Sequence, residues 1–311
     1  MAGRIVVFGS FVADLTGRCT RFPTAGETVL GSSFQCGPGG KGSNQAVAAH
    51  RAGAEVTLVT KLGEDTFGQM AKSFYREEGM DTRYLLTDSQ HATGVALIMV
   101  NELTGQNEIL VLTGSCGHIT QEDIRSREAM ITEAGLLLLQ MEINTDALEE
   151  VIRMAHRHGV RIVLNPAPAQ PLADELLAMI DTVTPNETEA FVMTGVRVEN
   201  CRSARAAAEV FLQKGVRNVV ITLGSQGVYV TDGKREALYG PLEVQAVDTT
   251  GAGDAFNGGF AMALAEGTDV FEAARWGNCT GALSVTKQGT APAMPRRVEI
   301  EALYHASYGN D

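Results

Sequence analysis

Asp254 lies in the run Val247-Asp248-Thr249-Thr250-Gly251-Ala252-Gly253-Asp254-Ala255-Phe256-Asn257-Gly258-Gly259. Gly251 and Gly253 leave the backbone bare, so an anion can approach the N–H groups closely. A helix that starts in this turn points its unsatisfied N–H groups and positive dipole end at the same spot. Together these features make a phosphate site from main chain alone. A carboxylate beside it repels the anion unless it does chemistry there. The chemistry that fits is general base, taking a proton from a hydroxyl that attacks phosphorus. Simple helix capping by Asp is the alternative, but a double-glycine approach is more than a cap needs.

A second glycine run, Cys36-Gly37-Pro38-Gly39-Gly40-Lys41-Gly42-Ser43-Asn44, precedes an Ala-rich helical stretch over 45–52. Gly37, Gly39 and Gly42 fit the dinucleotide spacing GxGxxG. The strand expected over 56–60, however, runs into Lys61 and not into the acid that would hold a ribose. The spacing before Lys41 does not form a Walker A loop either. A sugar-binding helix start fits better, with the Gly40 N–H, Lys41 and Asn44 as donors to hydroxyls. Asp14 follows the apolar strand expected over 4–10, just past its carboxyl end, where open α/β sheets bind ligands.

The elements that position these residues alternate. Helices are expected over 66–78, 146–158, 171–180, 203–214, 255–265, 270–283 and 298–305. Strands are expected over 136–140, 161–164, 182–184 and 219–222, with short ones from 228 to 247. Glu142 falls at the carboxyl end of the 136–140 strand, and Asn186 is placed to cap a helix. This pattern gives an α/β class with a mostly parallel sheet covered on both faces. Residues 93–100 and 108–112 read as a hairpin, the core of a small β-structured lid formed by segments near 15–36 and 93–113. The hairpin strands show little polar alternation, so an apolar face needs cover, and a homodimer through the lid is expected. The rest reads as one domain over 1–311.

The totals narrow the classes further. With 311 residues, 44% of them hydrophobic, and 34 Gly, the chain can build a large core. A net charge of -12 argues against nucleic acid or an anionic membrane as partner. Five scattered Cys without a CxxC pair suggest reduced thiols in a cytoplasm. No apolar run reaches the ~18 residues of a membrane span. Met1-Ala2-Gly3-Arg4 leads straight into a strand, leaving no room for a secretory leader.

With these residues in view, the chain resembles the ribokinase family of carbohydrate kinases, the phosphofructokinase-B type, over nearly its whole length. The specific blocks are Gly39-Gly40-Lys41-Gly42-Ser43-Asn44-Gln45-Ala46 and the run from Asp248 to Gly258. Between them, Asn165-Pro166-Ala167-Pro168-Ala169, Pro185-Asn186-Glu187-Thr188-Glu189 and Thr222-Leu223-Gly224-Ser225-Gln226-Gly227 follow in the family's order. The resemblance implies a ribokinase-like fold. It also implies transfer of the γ-phosphate of ATP, with Mg²⁺, to the primary hydroxyl of a pentose such as D-ribose, with 2-deoxyribose as the alternative. It implies Asp254 as base and Gly251, Ala252 and Gly253 as anion hole. Asp14, Gly40, Lys41, Asn44 and Glu142 become sugar contacts. Asn186, Thr222, Gly224, Ser225, Gly227, Gly253 and Asn278 become nucleotide contacts, and Glu189 is linked to Mg²⁺. Asp248, Thr250, Ser284, Lys287, Gly289 and Ala293 become a loop for a monovalent cation, K⁺. Two positions depart from the pattern: it has Asn where this chain has Val12, beside the sugar, and His beside the adenine where this chain has Asn278.

Two other classes compete. A nicotinamide-dependent oxidoreductase needs the acid that is missing after 56–60. A catalytically silent sugar sensor would be expected to lack the base, and Asp254 is present.

Overall fold

The computed structural model describes residues 3–309; Met1 and Ala2, and with them the expectation about a leader, lie outside the described residues. The strands are β1 (Ile5–Phe8), β2 (Val12–Cys19), β3 (Ser33–Gly39), β4 (Val56–Val59), β5 (Lys61–Gly63), β6 (Leu86–Asp88) and β7 (Thr93–Asn101). They continue as β8 (Asn107–Gly114), β9 (Leu136–Leu139), β10 (Arg161–Leu164), β11 (Thr182–Val183), β12 (Asn218–Thr222), β13 (Val228–Thr231) and β14 (Glu236–Tyr239). The helices are α1 (Lys41–Arg51), α2 (Thr66–Glu77), α3 (Gln121–Arg125), α4 (Glu128–Thr132), α5 (Thr145–Arg157) and α6 (Asp174–Leu177). After them come α7 (Glu187–Thr194), α8 (Cys201–Gln213), α9 (Ala252–Ala265), α10 (Val270–Ser284) and α11 (Arg297–Tyr308). Among the described residues no helix is long and apolar enough to cross a membrane.

An eight-stranded sheet runs in the order β14-β13-β12-β11-β10-β9-β1-β4. Its strands are parallel except where β13 and β14 turn back. The central strands are buried on both faces, as the runs Ile5-Val6-Val7-Phe8 and Leu136 to Leu139 require. The chain leaves β1 toward β4 on one side and returns to β9 on the other. The crevice outside the carboxyl ends of β1 and β9 is therefore the switch point of the sheet, where ligands bind in such folds.

A second sheet, β3-β2-β7-β8, is built from two insertions, β2–β3 between β1 and α1 and β7–β8 between β6 and α3. Two expectations change here. Asp14 is not in a loop after β1 but inside β2. The lid segment expected near 15–36 runs on to Gly39, so Gly37-Pro38-Gly39, residue types that ordinarily mark a turn, is strand paired with β2. The pairing puts Gly39 opposite Val12 and Gly37 opposite Asp14. Two further differences are local. The helix expected over 171–180 is only Asp174–Leu177, because Met179 and Ile180 close tighter turns that feed Ile180 into the core ahead of β11. Strand structure after 228 stops at Tyr239, well short of 247. The short pair β5–β6 and helices α3 and α4 were not anticipated.

Helices α1 and α9, which carry most of the candidate chemistry, cross closely. A Cβ on Gly258 would lie 2.3 Å from Ala48 Cβ and 2.7 Å from Ala49 N. The glycine is what lets Asn44 and Gln45 of α1 reach the start of α9. Gly258→Ala should therefore destabilise the fold by about 1–3 kcal/mol, the usual effect of overpacking. Urea unfolding measures this, and a midpoint equal to that of the unmodified protein would show that the crossing has slack.

Candidate active site

Asp254 is the third residue of α9 and is buried. It does not cap the helix. Its Oδ2 accepts 2.9 Å from Asn44 Nδ2, and its Oδ1 accepts 3.0 Å from Gln45 Nε2. Gly251, at φ 78, is the left-handed residue that turns the chain into α9. Gly251, Ala252, Gly253 and Asp254 line a cavity of about 170 Å³ together with Lys41, Asn186, Glu189 and Thr222. The glycine turn, the carboxylate and an ammonium thus share one small space at the positive end of a helix.

Lys41 lies on the other side of this space and also lines a larger cavity, about 690 Å³, with Glu142, Thr113, Ile109 and Gln170. Burial alone would lower its ammonium. The carboxylates of Asp254, Glu142 and Glu189 more than offset that and hold it above its usual range. Glu142 is fixed at the switch point, accepting 2.5 Å from Ser10 Oγ and 2.9 Å from the Lys41 main-chain N–H. Gly40, at φ 89, brings that N–H into place, and a Cβ there would strike the Val12 nitrogen at 2.7 Å. Asn44 Oδ1 is buried and has no hydrogen-bond partner among the described residues.

Asp14 approaches from the second sheet. Its carboxylate lies over Gly39, where a Cβ would sit 2.2 Å from Oδ1, so only glycine admits it. Thr290 Oγ1 donates 3.1 Å to its Oδ2, tying the sheet to the loop before α11. Thr290 was missed in the sequence, since nothing local marks a residue 276 positions away. Val12 is buried but belongs to neither hydrophobic cluster; its Cγ1 lies against Gly94.

The expected nucleotide residues fall on the β12 side. Asn186 bridges to Thr222 and forms a reciprocal cap with Glu189, whose Oε2 accepts the Asn186 N–H at 2.9 Å. Burial leads in pushing the Glu189 carboxyl up. Gly224 (φ 51) and Ser225 form the turn after β12. Gly227, at φ 94, packs so tightly on Tyr239 O that a Cβ would come within 2.0 Å. Asn278 stands apart from the 170 Å³ cavity: its Nδ2 donates to Gly240 O and to Tyr308 Oη, both at 2.9 Å.

The expected cation residues converge in part. Asp248 Oδ1 accepts from Thr250 N, and Oδ2 accepts from Gly289 N, each at 3.0 Å. These main-chain donors outweigh burial and keep the carboxyl below its usual range. Ser284, Lys287 and Ala293 lie along the same stretch of chain, but the Lys287 ammonium turns to Glu299 at 2.7 Å, and its main-chain N–H donates to Ser284 O. The Cys116 sulfur packs on Thr60, and the His118 imidazole stacks on His91.

Burial is the largest influence on Asp14, and Glu142 and Asp254 push the same way, raising its carboxyl to about 6 against the stabilising Thr290 hydroxyl. Thr290→Val should raise it further. Carboxylate-carbon NMR of the ligand-free protein measures both, and a midpoint near 4 in the unmodified chain would contradict the burial argument.

The chain matches the model of the pfkB family carbohydrate kinase over residues 2–297. It is similar to the ribokinase of Haemophilus influenzae, 44% identical over 307 residues that span 98% of this chain and 100% of that protein. The deoxyribokinase of Salmonella typhi is 35% identical over 292 residues, covering 94% and 95%. The ribokinase of Arabidopsis thaliana complexed with ribose and ATP superposes with a TM-score of 0.89 at 31% identity, covering 98% and 99%. The fold is that of the ribokinases, and the chain belongs to the pfkB family of carbohydrate kinases.

Proposed function

We propose that this sugar kinase transfers the γ-phosphate of ATP to the primary hydroxyl of a pentose, with D-ribose as first substrate. The observation that carries the reading is the pair Asn44–Asp254. A buried carboxylate, held by two neutral amides, adjoins a glycine turn at a helix start, and the Asn44 oxygen beside it is an acceptor with no protein donor. A polyol supplies that donor.

In this reading Asp14, Glu142, Asn44, Lys41 and the Gly40 N–H hold the sugar at the switch point, with its terminal hydroxyl against Asp254. Asp254 takes the hydroxyl proton as the oxygen attacks the γ-phosphorus. The bond from that phosphorus to the bridging oxygen breaks, and ADP leaves. The N–H groups of Gly251, Ala252 and Gly253 receive the charge of the transferred group, and Lys41 sits between sugar and phosphate. Asn186, Thr222, Gly224, Ser225 and Gly227 hold the nucleotide, with the Asn278 oxygen at its far end. Among the described residues no three acids, His or Cys converge on one point. Glu189 and the Asn186 cap are the residues that would lie near a Mg²⁺ held by the nucleotide phosphates, where the ion would neutralise phosphate charge. K⁺ is assigned to the Asp248–Gly289 loop, where it would stiffen the adjoining turn.

The second sheet serves as lid. Phe34, Leu97, Leu110 and Leu112 are exposed on it, which supports a homodimer through this surface. The scattered free thiols support a cytoplasmic setting.

The second reading, 2-deoxyribose, is favoured by Val12. Flanked by Gly39 and Gly94 on the Asp14 face of β2, it offers the sugar hydrocarbon where an amide would bind a hydroxyl. An unsatisfied hydroxyl costs about 1–3 kcal/mol.

Asp254→Asn should fold and bind ATP yet lose about 10²–10⁴-fold in kcat, the usual contribution of a general base. Activity within threefold of the unmodified enzyme would remove the base assignment. The unmodified enzyme should use 2-deoxyribose with kcat/KM at least comparable to ribose. Val12→Asn should shift the ratio toward ribose by roughly tenfold, the equivalent of about 1.4 kcal/mol; an unchanged ratio would place the sugar choice elsewhere. Light scattering at micromolar concentration should give a dimer, and a fully active monomer would exclude the lid contact.

A further inference from the structure

We propose that Gln45 is a positioning residue of this reaction, locking the rotation of the Asp254 carboxylate through an amide whose orientation the sheet itself dictates. The inference rests on Asp254 being the base.

Gln45 is fully buried on α1, one position after Asn44. Each oxygen of Asp254 thus accepts one amide N–H from adjacent residues of the same helix, at 2.9 and 3.0 Å. Two donors on two oxygens fix the plane of the carboxylate, which a single bond would leave free to turn. Both donors are neutral amides, so they orient the carboxylate without placing a cation on it.

The orientation of Gln45 follows from its neighbours. Asn165, immediately after β10, donates from Nδ2 to the main-chain carbonyl of Thr184 at 2.9 Å. A carbonyl can only accept, so the Asn165 oxygen must face the other way, toward Gln45 Nε2, 3.0 Å away. Gln45 Oε1 then faces Gln140, immediately after β9, and accepts from its Nε2 at 2.7 Å. Reversing the Gln45 amide would set oxygen against both Asn165 and Asp254. The same layer also reaches the anion turn. Thr184 Oγ1 donates 2.5 Å to Asn257, whose Nδ2 donates 2.8 Å to the carbonyl of Gly253. Polar residues just past the ends of β9, β10 and β11 therefore hold the base and the turn in one buried frame, with Gln140 Oε1 left as an acceptor without a partner among the described residues. Asn165, Thr184 and Asn257 of this frame line the 170 Å³ cavity with Asp254, whereas Gln45 and Gln140 do not reach it.

The titratable groups that face Asp254 from other elements are Lys41 of α1, Asp14 of β2 and Glu189 of α7. None of them changes in the following test. Gln45→Glu keeps the shape but puts a second carboxyl 3 Å from the first, and two such groups share a proton. The acidic limb of the pH profile of kcat/KM for the sugar should move up by about one unit or more. Gln45→Met keeps the volume and removes the bond. Its kcat should fall about tenfold to a hundredfold, because a small misplacement of a reacting group costs that much, while KM for ATP stays within about twofold. A folded Gln45→Glu with an unmoved limb would overturn the proposal. So would a Gln45→Met whose melting temperature falls while the kcat of the folded protein is unchanged, and if Gln45→Glu does not fold this variant decides alone. Asp254→Asn separates the two ideas. Inactive Asp254→Asn with normal Gln45 variants removes only the role of Gln45, whereas active Asp254→Asn removes the base itself.

Discussion

A carboxylate next to an anion site is an electrostatic conflict, and the architecture is organised around holding it. Two unit charges about 4 Å apart repel by about 1 kcal/mol in water and by several times that in a partly buried site. Asp254 lies in the first turn of α9, where the helix dipole favours negative charge, and Lys41 faces it across a small cavity. Asn44 and Gln45 supply neutral donors on both oxygens. None of these is strong alone. Together they hold a carboxylate beside a turn of bare N–H groups without a direct ion pair.

The packing follows from that requirement. α1 must cross α9 closely enough for Asn44 and Gln45 to reach Asp254, and Gly258 makes the approach possible. α1 in turn starts from Gly40, whose positive φ sets the Lys41 N–H on Glu142. Glu142 and Ser10 lie past the ends of β9 and β1, on either side of the switch point. The second sheet adds Asp14 from outside, anchored by Thr290 to the loop that also contains Gly289. Substrate groups, base and anion turn thus converge on one crevice from elements far apart in the chain.

Much of this was legible because the residues are consecutive. Asp254 with its glycines, and Lys41 with Asn44, sit in short runs whose backbone and charge logic is local. The parallel sheet was legible from apolar strands ending in Gly, Asn or Pro. What stayed hidden depends on distance. Gln45 meets Asp254 across 209 positions and Gln140 across 95, and neither contact leaves a mark in the sequence. A polar residue closing an all-apolar strand, as Gln140 closes β9, is the one signal that could have pointed to the buried frame. The strand through Gly37-Pro38-Gly39 was misread because glycine and proline signal turns. Here Gly39 is required instead by a carboxylate lying across the strand.

The most direct test of this account is a crystal structure of the chain with D-ribose or 2-deoxyribose and a non-hydrolysable ATP analogue. It should show the terminal hydroxyl within hydrogen-bond reach of Asp254, about 2.6–3.2 Å. The same structure should show the γ-phosphate against the N–H groups of Gly251, Ala252 and Gly253, with a sugar hydroxyl on Asn44 Oδ1. A sugar bound with its terminal hydroxyl away from Asp254, or a γ-phosphate outside the glycine turn, would contradict it.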